Sequence, residues 1–360
     1  MRRAWALAPV LAPAIGAVVL LATWGRDIPL AVAVCAAIAL AGAVLASVHH
    51  AEVIAHKVGE PYGSLALAVA VTVIEVGLIV ALMSEGGPKA AGLARDTVFA
   101  AVMITCNGIL GICLIAASAR RRIALFNAEG SGAALATVAT LTTLTLVLPT
   151  FTTSVPGPQF NGVQLAFAAI ASLVIYAVFV VTQAGRHRDF FLPVEVDGED
   201  GSEHADPPSG RTTVKSLVLL LLSLGVVIGL AKVESPFIES AVSAAGLQQG
   251  IVGVVIALLV LLPETIAAYR AARRHRTQVA VNLAFGSAMA SIGLTIPAVA
   301  IASIWLEGPL LLGLGPTQLV LFALTMLAGV LTVVPGRATR LQGSVHLAIL
   351  AAFLVLAASP

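Results

Sequence analysis

Long apolar runs alternate with short polar breaks along almost the whole chain. Breaks at Pro, Gly and clustered charge delimit eleven runs, near residues 5–23, 28–47, 63–83, 97–118, 133–150, 162–183, 214–231, 249–269, 280–305, 316–334 and 343–358. A helix rises about 1.5 Å per residue and a bilayer core is about 30 Å thick, so each run is long enough for one crossing. Ala, Gly, Leu and Val dominate the runs without the short alternation of barrel strands, so the predicted class is an all-α membrane protein of about eleven transmembrane helices. One polar connection is long, 184–213. It carries Asp189, Glu195, Asp197, Glu199, Asp200, Glu203 and Asp206 among Gly, Ser and Pro, the composition of a solvated linker.

Composition removes the soluble alternatives. Of 360 residues, 59% are hydrophobic and 11% charged, and the mean hydropathy is +1.02. The distribution of charge says more than its net value of +2. Alternate connections on one side hold sixteen of the twenty Lys and Arg, while the other side holds Arg26, Lys89, Arg95 and Lys232. By the positive-inside rule the N-terminus is cytoplasmic and the C-terminus outside, in a multi-pass protein of the plasma (inner) membrane. The basic clusters Arg120-Arg121-Arg122 and Arg273-Arg274-His275-Arg276 fit anionic membrane lipid, and nucleic acid is not an expected partner. Arg2-Arg3 before an apolar run resembles a signal peptide, but ten further runs follow and the first is read as a retained helix. Cys35, Cys106 and Cys113 lie in apolar runs with no C-x-x-C spacing, as packing residues do.

The linker divides the chain into two sets of five spans with traces of self-similarity. Asn161-Gly162-Val163-Gln164-Leu165-Ala166-Phe167 resembles Gln342-Gly343-Ser344-Val345-His346-Leu347-Ala348-Ile349 with one inserted residue. The preceding spans end in Leu146-Val147-Leu148-Pro149 and Thr332-Val333-Val334-Pro335. An odd number of spans per half inverts the second half relative to the first, a plan that puts a transport site near the midplane. The predicted organisation is an extra N-terminal helix (1–24), a first five-helix repeat (25–183), the linker (184–213) and a second repeat (214–360).

Of eighteen Asp and Glu residues, Glu75 and Glu264 alone fall well inside predicted spans, at corresponding places in the two halves. A carboxylate at that depth costs roughly 2.5–3.5 kcal/mol on insertion scales and is rarely present without use; a protonated Glu hydrogen-bonded between helices is the competing role. Two facing carboxylates neutralise one divalent cation, and hard cations take oxygen ligands. Without a cation, burial and mutual repulsion favour the protonated forms, so cation and protons compete for the same oxygens. Thr72 lies one turn before Glu75, and Asn107 and Ser287 are polar positions on the next helix of each half; interhelical hydrogen bonding is the competing role. Pro263 and Pro297 lack the N–H that would bond the carbonyls of Leu259 and Gly293. His49, His50, His56 and Glu60 surround the predicted exit of the second span, as candidates for proton access or as a solvated loop. The spans hold too few polar positions to line a channel, and no nucleophile–base pair or metal-ligand cluster for an enzyme lies at depth. The expected protein is a secondary transporter with no cofactor, its metal being the substrate ion at Glu75 and Glu264.

Several segments carry a family resemblance: His56-Lys57-Val58-Gly59-Glu60-Pro61-Tyr62-Gly63, Val73-Ile74-Glu75-Val76, Leu262-Pro263-Glu264, and Asn282-Leu283-Ala284-Phe285-Gly286-Ser287 running to Leu294-Thr295-Ile296-Pro297. Over nearly the whole chain they resemble the calcium/proton exchanger family of the cation/calcium antiporter superfamily, in its bacterial ChaA-like branch. The resemblance implies one extra helix before two inverted five-helix repeats, a glutamate in the third and eighth helices, and exchange of calcium for protons. Many such exchangers have Gly-Asn-Ala before the glutamate, whereas this chain has Val71-Thr72-Val73-Ile74 and Val260-Leu261-Leu262-Pro263. Sodium or potassium exchange for protons therefore stands beside calcium.

Overall fold

The structure, a computed structural model, describes residues 2–26, 28–59, 62–86, 90–185, 187–192, 208–306 and 308–359. Eleven helical rods run through it. They are α1 (Arg2–Thr23), α2 (Leu30–Val58), α3 (Tyr62–Gly86), α4 (Leu93–Met103, a π turn Ile104–Ile109, then Leu110–Arg121) and α5 (Ala128–Thr142 with a π turn Thr143–Val147 and a 3-10 turn Leu148–Thr150). After these come α6 (Gly162–Ala184), α7 (Gly210–Ala244), α8 (Gly250–Arg273), α9 (Thr277–Ala302), α10 (Pro316–Val333) and α11 (Arg340–Ala358). Among the described residues ten helices are long and apolar enough to cross a membrane, and α1 adds a shorter apolar stretch, Ala8–Thr23. This is the all-α membrane architecture that the hydropathy predicts.

Two helices outrun their predicted spans. α2 continues to Val58, so His49, His50 and His56 stand on a helix and not in an exit loop. α7 continues to Ala244 through Lys232, Glu234 and Pro236. Charge and proline mark where an apolar run stops, but the backbone hydrogen-bond ladder need not stop with it. Part of the expected linker is also ordered, because Arg188–Phe191 forms a short 3-10 helix directly after α6. Residues 193–207, which hold most of its acidic side chains, lie outside the described residues.

The connections meet at two opposite ends. At one, Ala124 and Leu125 after α4 pair antiparallel with Ala338 and Arg337 before α11, and Arg340 donates to the carbonyl of Ala119 at 2.7 Å. At the other, Leu311 N–H donates to Ala91, Gly313 N–H to Pro158 and Leu314 N–H to Leu146. The first end collects the arginine-rich connections. Capping boxes start the last helix of each half, Asn161 with Gln164 and Thr339 with Gln342. These caps put Asn161 opposite Thr339, three residues before the Gln342 with which the sequence match aligns it.

Apolar packing divides into two clusters. One surrounds α4 and α9 and includes Phe99, Met103, Phe285 and Met289; the other joins α2, α3, α7 and one face of α8 through Val44, Ile74, Val227 and Val260. Small residues let the rods approach. A Cβ at Gly253 of α8 would sit 2.7 Å from Thr97 N and 2.8 Å from Asp96 C, so the α4 backbone rests directly on that glycine. Gly293 of α9 admits the Tyr176 ring of α6 in the same way, with Tyr176 Cβ 2.7 Å from where a Cβ would be.

Candidate functional site

α3, α6, α8 and α9 surround a cavity of about 530 Å³ whose wall includes both Glu75 and Glu264. Each glutamate lies deep in an apolar helix, where an ionised carboxylate lacks water and needs partners of opposite charge or hydrogen-bond donors. Thr72, Ser287 and Ser291 are on the same wall. From the glutamates the cavity runs toward the arginine-rich end, where Gln183, Ala184, Arg188 and Asn282 line it.

The two carboxylates have different surroundings. Glu75 is 4% exposed; its Oε1 accepts from Ser291 Oγ at 2.7 Å and its Oε2 from Thr295 Oγ1 at 3.1 Å. Both donors come from α9, four residues apart and therefore on one face. Glu264 has a buried Oε2 with no hydrogen-bond partner in the protein. The two glutamates are within electrostatic reach of one another, and Glu52 of α2 also acts on Glu264.

The expected site residues separate into groups. Glu75, Glu264, Thr72 and Ser287 share the cavity. Asn107 does not line it. Fully buried in the π turn of α4, Asn107 donates from Nδ2 to Thr325 Oγ1 at 2.9 Å and accepts at Oδ1 from His346 Nδ1 at 3.0 Å. His346 Nε2 then accepts from Thr332 Oγ1 at 3.0 Å, closing a chain of hydrogen bonds between α4, α10 and α11. Ser291 and Thr295 are the partners that sequence reasoning missed. Their signal was present, since Ser287, Ser291 and Thr295 recur every four residues along α9.

The histidines also divide. His49 and His56 are exposed on α2, while His50 is 3% exposed and holds three helices together. Its Nε2–H donates to the Pro9 carbonyl at 3.0 Å, and its Nδ1 accepts from Ser216 Oγ at 3.3 Å. The Pro9 carbonyl lacks its helical donor because residue 13 is a proline. His50 therefore supplies a bond that α1 cannot make for itself. Glu60 lies outside the described residues. Glu234, which lies beyond the predicted span 214–231, is buried within α7 at 4% exposure with Oε1 unpartnered. It does not line the glutamate cavity.

Toward the opposite end α4 and α8 are in direct backbone contact at Gly253. Beyond that contact a second cavity of about 530 Å³ is lined by Arg95, Asp96, Gln249 and Gln318. Arg95 Nε pairs there with Asp96 Oδ1 at 2.8 Å.

The family model for the sodium/calcium exchanger protein matches residues 28–185 and 215–358, leaving out α1 and the linker. The chain is 48% identical over 321 residues to y4hA of Sinorhizobium fredii (strain NBRC 101917 / NGR234), a protein named as an ionic transporter; the match covers 89% of this chain and 87% of that one. It is 31% identical over 344 residues to the sodium-potassium/proton antiporter ChaA of Escherichia coli (strain K12), covering 94% and 93% of the two chains. Among solved structures, native YfkE superposes with a TM-score of 0.71 at 14% identity, covering 97% of this chain and 98% of that one. The H+/Ca2+ exchanger CAX superposes with a TM-score of 0.70 at 16% identity, covering 98% and 91%. Those two likenesses concern the fold. The family match spans both halves of the chain, and the chain belongs to the sodium/calcium exchanger protein family, a multi-pass membrane protein in the line of the cation/calcium antiporters.

Proposed function

We propose that this chain exchanges calcium for protons, the two ions competing for Glu75 and Glu264. The observation that carries the reading is the shared cavity: the deepest carboxylate of each half opens onto one space, with hydroxyl oxygens around it. Two ionised carboxylates balance one divalent cation, and hydroxyls such as Thr72 and Ser287 add hard oxygen ligands. When the cation leaves, the same oxygens take protons, because two uncompensated carboxylates in an apolar wall repel each other and lack water. Each ion thereby expels the other. Ser291 and Thr295 orient Glu75, while the unpartnered Oε2 of Glu264 offers the more available oxygen to an arriving ion.

The cavity communicates with the arginine-rich end, which the positive-inside rule assigns to the cytoplasm of a plasma (inner) membrane protein. In this conformation the site exchanges ions with that side. Transport to the other side requires α4 and α8 to part at Gly253 while the route toward the linker closes, as expected for two inverted halves moving against one another.

A second reading keeps the site and changes the ion. Sodium or potassium would exchange for protons, as the name of the ChaA relative suggests. The turns before both glutamates also lack the Asn that many calcium exchangers place there. Everted membrane vesicles acidified inside, with a pH-sensitive dye, separate the readings when calcium, sodium and potassium are added in turn. Calcium-driven dequenching at the lowest concentration supports the first reading, and response to sodium or potassium without calcium supports the second. Glu75→Gln and Glu264→Gln should each abolish dequenching by every ion while leaving the amount of inserted protein unchanged. Normal exchange in either variant refutes the site.

A further inference from the structure

The last turns of α8 carry a feature that ion exchange does not use. A groove of about 670 Å³ is lined by Ile112 of α4 and by Thr265, Ile266, Tyr269, Arg270, Arg273 and Arg274 of α8. It starts at the arginine-rich end and reaches Ile112, which stands nine residues before the end of α4 at Arg121. That is roughly 13 Å along the helix from its end, at a rise of about 1.5 Å per residue. The deep part is apolar and the mouth is cationic. Ile266 and Tyr269 are 41% and 40% exposed, and all three arginines are exposed.

We propose that this groove binds one acidic phospholipid, with the phosphodiester headgroup among Arg270, Arg273 and Arg274 and an acyl chain laid against Ile112 and Ile266. Charge complementarity chooses this occupant. No described carboxylate lies within 4 Å of any of these three guanidinium groups. Glu52 of α2 acts on Arg270 from farther away and leaves Arg273 and Arg274 to the ligand. Guanidinium forks bond phosphate oxygens in pairs, more specifically than an ammonium does. The Arg273 guanidinium lies over the Tyr269 ring at 5.9 Å, so it is oriented before the ligand arrives. A zwitterionic lipid fits the apolar slot equally well but presents its own cation to the same arginines. The groove flanks Thr265, the residue after Glu264, so an occupant rests on the helix that carries half of the ion site.

Native mass spectrometry of the purified, delipidated full chain tests the site, with dioleoylphosphatidylglycerol or dioleoylphosphatidylcholine added back. Wild-type protein should retain one phosphatidylglycerol at energies that strip phosphatidylcholine. Each arginine near an anionic phosphate contributes roughly 1 kcal/mol, so Arg273→Ala with Arg274→Ala should weaken retention about thirtyfold. Arg211→Ala, an exposed arginine at the start of α7 on the same side, should leave it unchanged. Ile112→Trp keeps every charge and fills the slot, so it should also evict the lipid; its elution and melting profile check the fold independently. Equal retention of the two lipids overturns the proposal, as does retention by both the double variant and Ile112→Trp. Displacement of phosphatidylglycerol by millimolar inorganic phosphate, with the apolar slot making no difference, also overturns it.

Discussion

Ser291→Ala is the most direct probe of the proposed ion site. The hydroxyl donates to Glu75 Oε1 at 2.7 Å in a fully buried setting, an ordinary O–H···O length for a bond that becomes charge-assisted when Glu75 is ionised. Such a bond is worth roughly 1.5–3 kcal/mol, and the cation-bound state is the one that needs Glu75 ionised. Its loss should raise the cation concentration for half-maximal exchange by about ten- to a hundredfold at fixed pH, since 1.4 kcal/mol is one decade. Thr295→Val removes the longer bond at 3.1 Å and should fall at the lower end of that range. The double variant should fall short of the product, because both donors serve one carboxylate. Initial rates of dequenching in everted vesicles, as a function of cation concentration, give the numbers. Asn107→Ala serves as the comparison: its side chain points to Thr325 and His346, so it should change stability more than half-saturation. An unchanged half-saturation in well-inserted Ser291→Ala, together with a large rise in Asn107→Ala, would refute the argument from the cavity.

Four further changes test the frame. His50→Ala leaves the Pro9 carbonyl without a donor and should cost about 1–3 kcal/mol, seen as a lower melting temperature in detergent with exchange retained in vesicles. Gly253→Val drives a side chain into the backbone of Asp96 and Thr97 and should cost about 1–3 kcal/mol or more. Gly250→Ala, whose Cβ would meet Asp96 at an ordinary 3.5 Å, should be near neutral in the same melting assay. Deleting residues 195–206 should leave vesicle exchange intact, because the glutamate cavity is built from helices on either side of that segment.

The spans and the two glutamates were legible because each follows from a one-dimensional property. Bilayer thickness sets the length of an apolar run, and depth within a run makes a carboxylate conspicuous. Helix ends were less legible. Hydropathy registers where apolar composition stops, at Ser47 in α2 and Ala231 in α7, but the hydrogen-bonded rods continue to Val58 and Ala244. Glu234 was hidden by that difference. Asn107 and Ser287 give the same sequence signal, a polar residue in an apolar helix, yet only Ser287 reaches the cavity. What separates them is the rotation of each helix about its axis. In α4 a π turn supplies an extra residue at Ile104–Ile109, which shifts the following face by about 100°, and no propensity announces it.

That π turn also bears on why the two glutamates, at corresponding places in the proposed repeat, have different surroundings. α9 presents Ser287, Ser291 and Thr295 as an unbroken stripe, and two of its hydroxyls close on Glu75. On α4, the next helix of the other half, Asn107 lies within the π turn and bonds to α10 and α11. Glu264 is left with a buried oxygen that no protein group satisfies. A site with two equally tied carboxylates would resist both cation and proton exchange, because each event would break bonds on both sides at once. Here Glu75 is held by α9 and Glu264 is the carboxylate free to change partners. The cavity runs toward the arginine-rich end, and the inequality belongs to this conformation. In the proposed alternation, a parting of α4 from α8 at Gly253 would change the helix contacts that set each glutamate's surroundings.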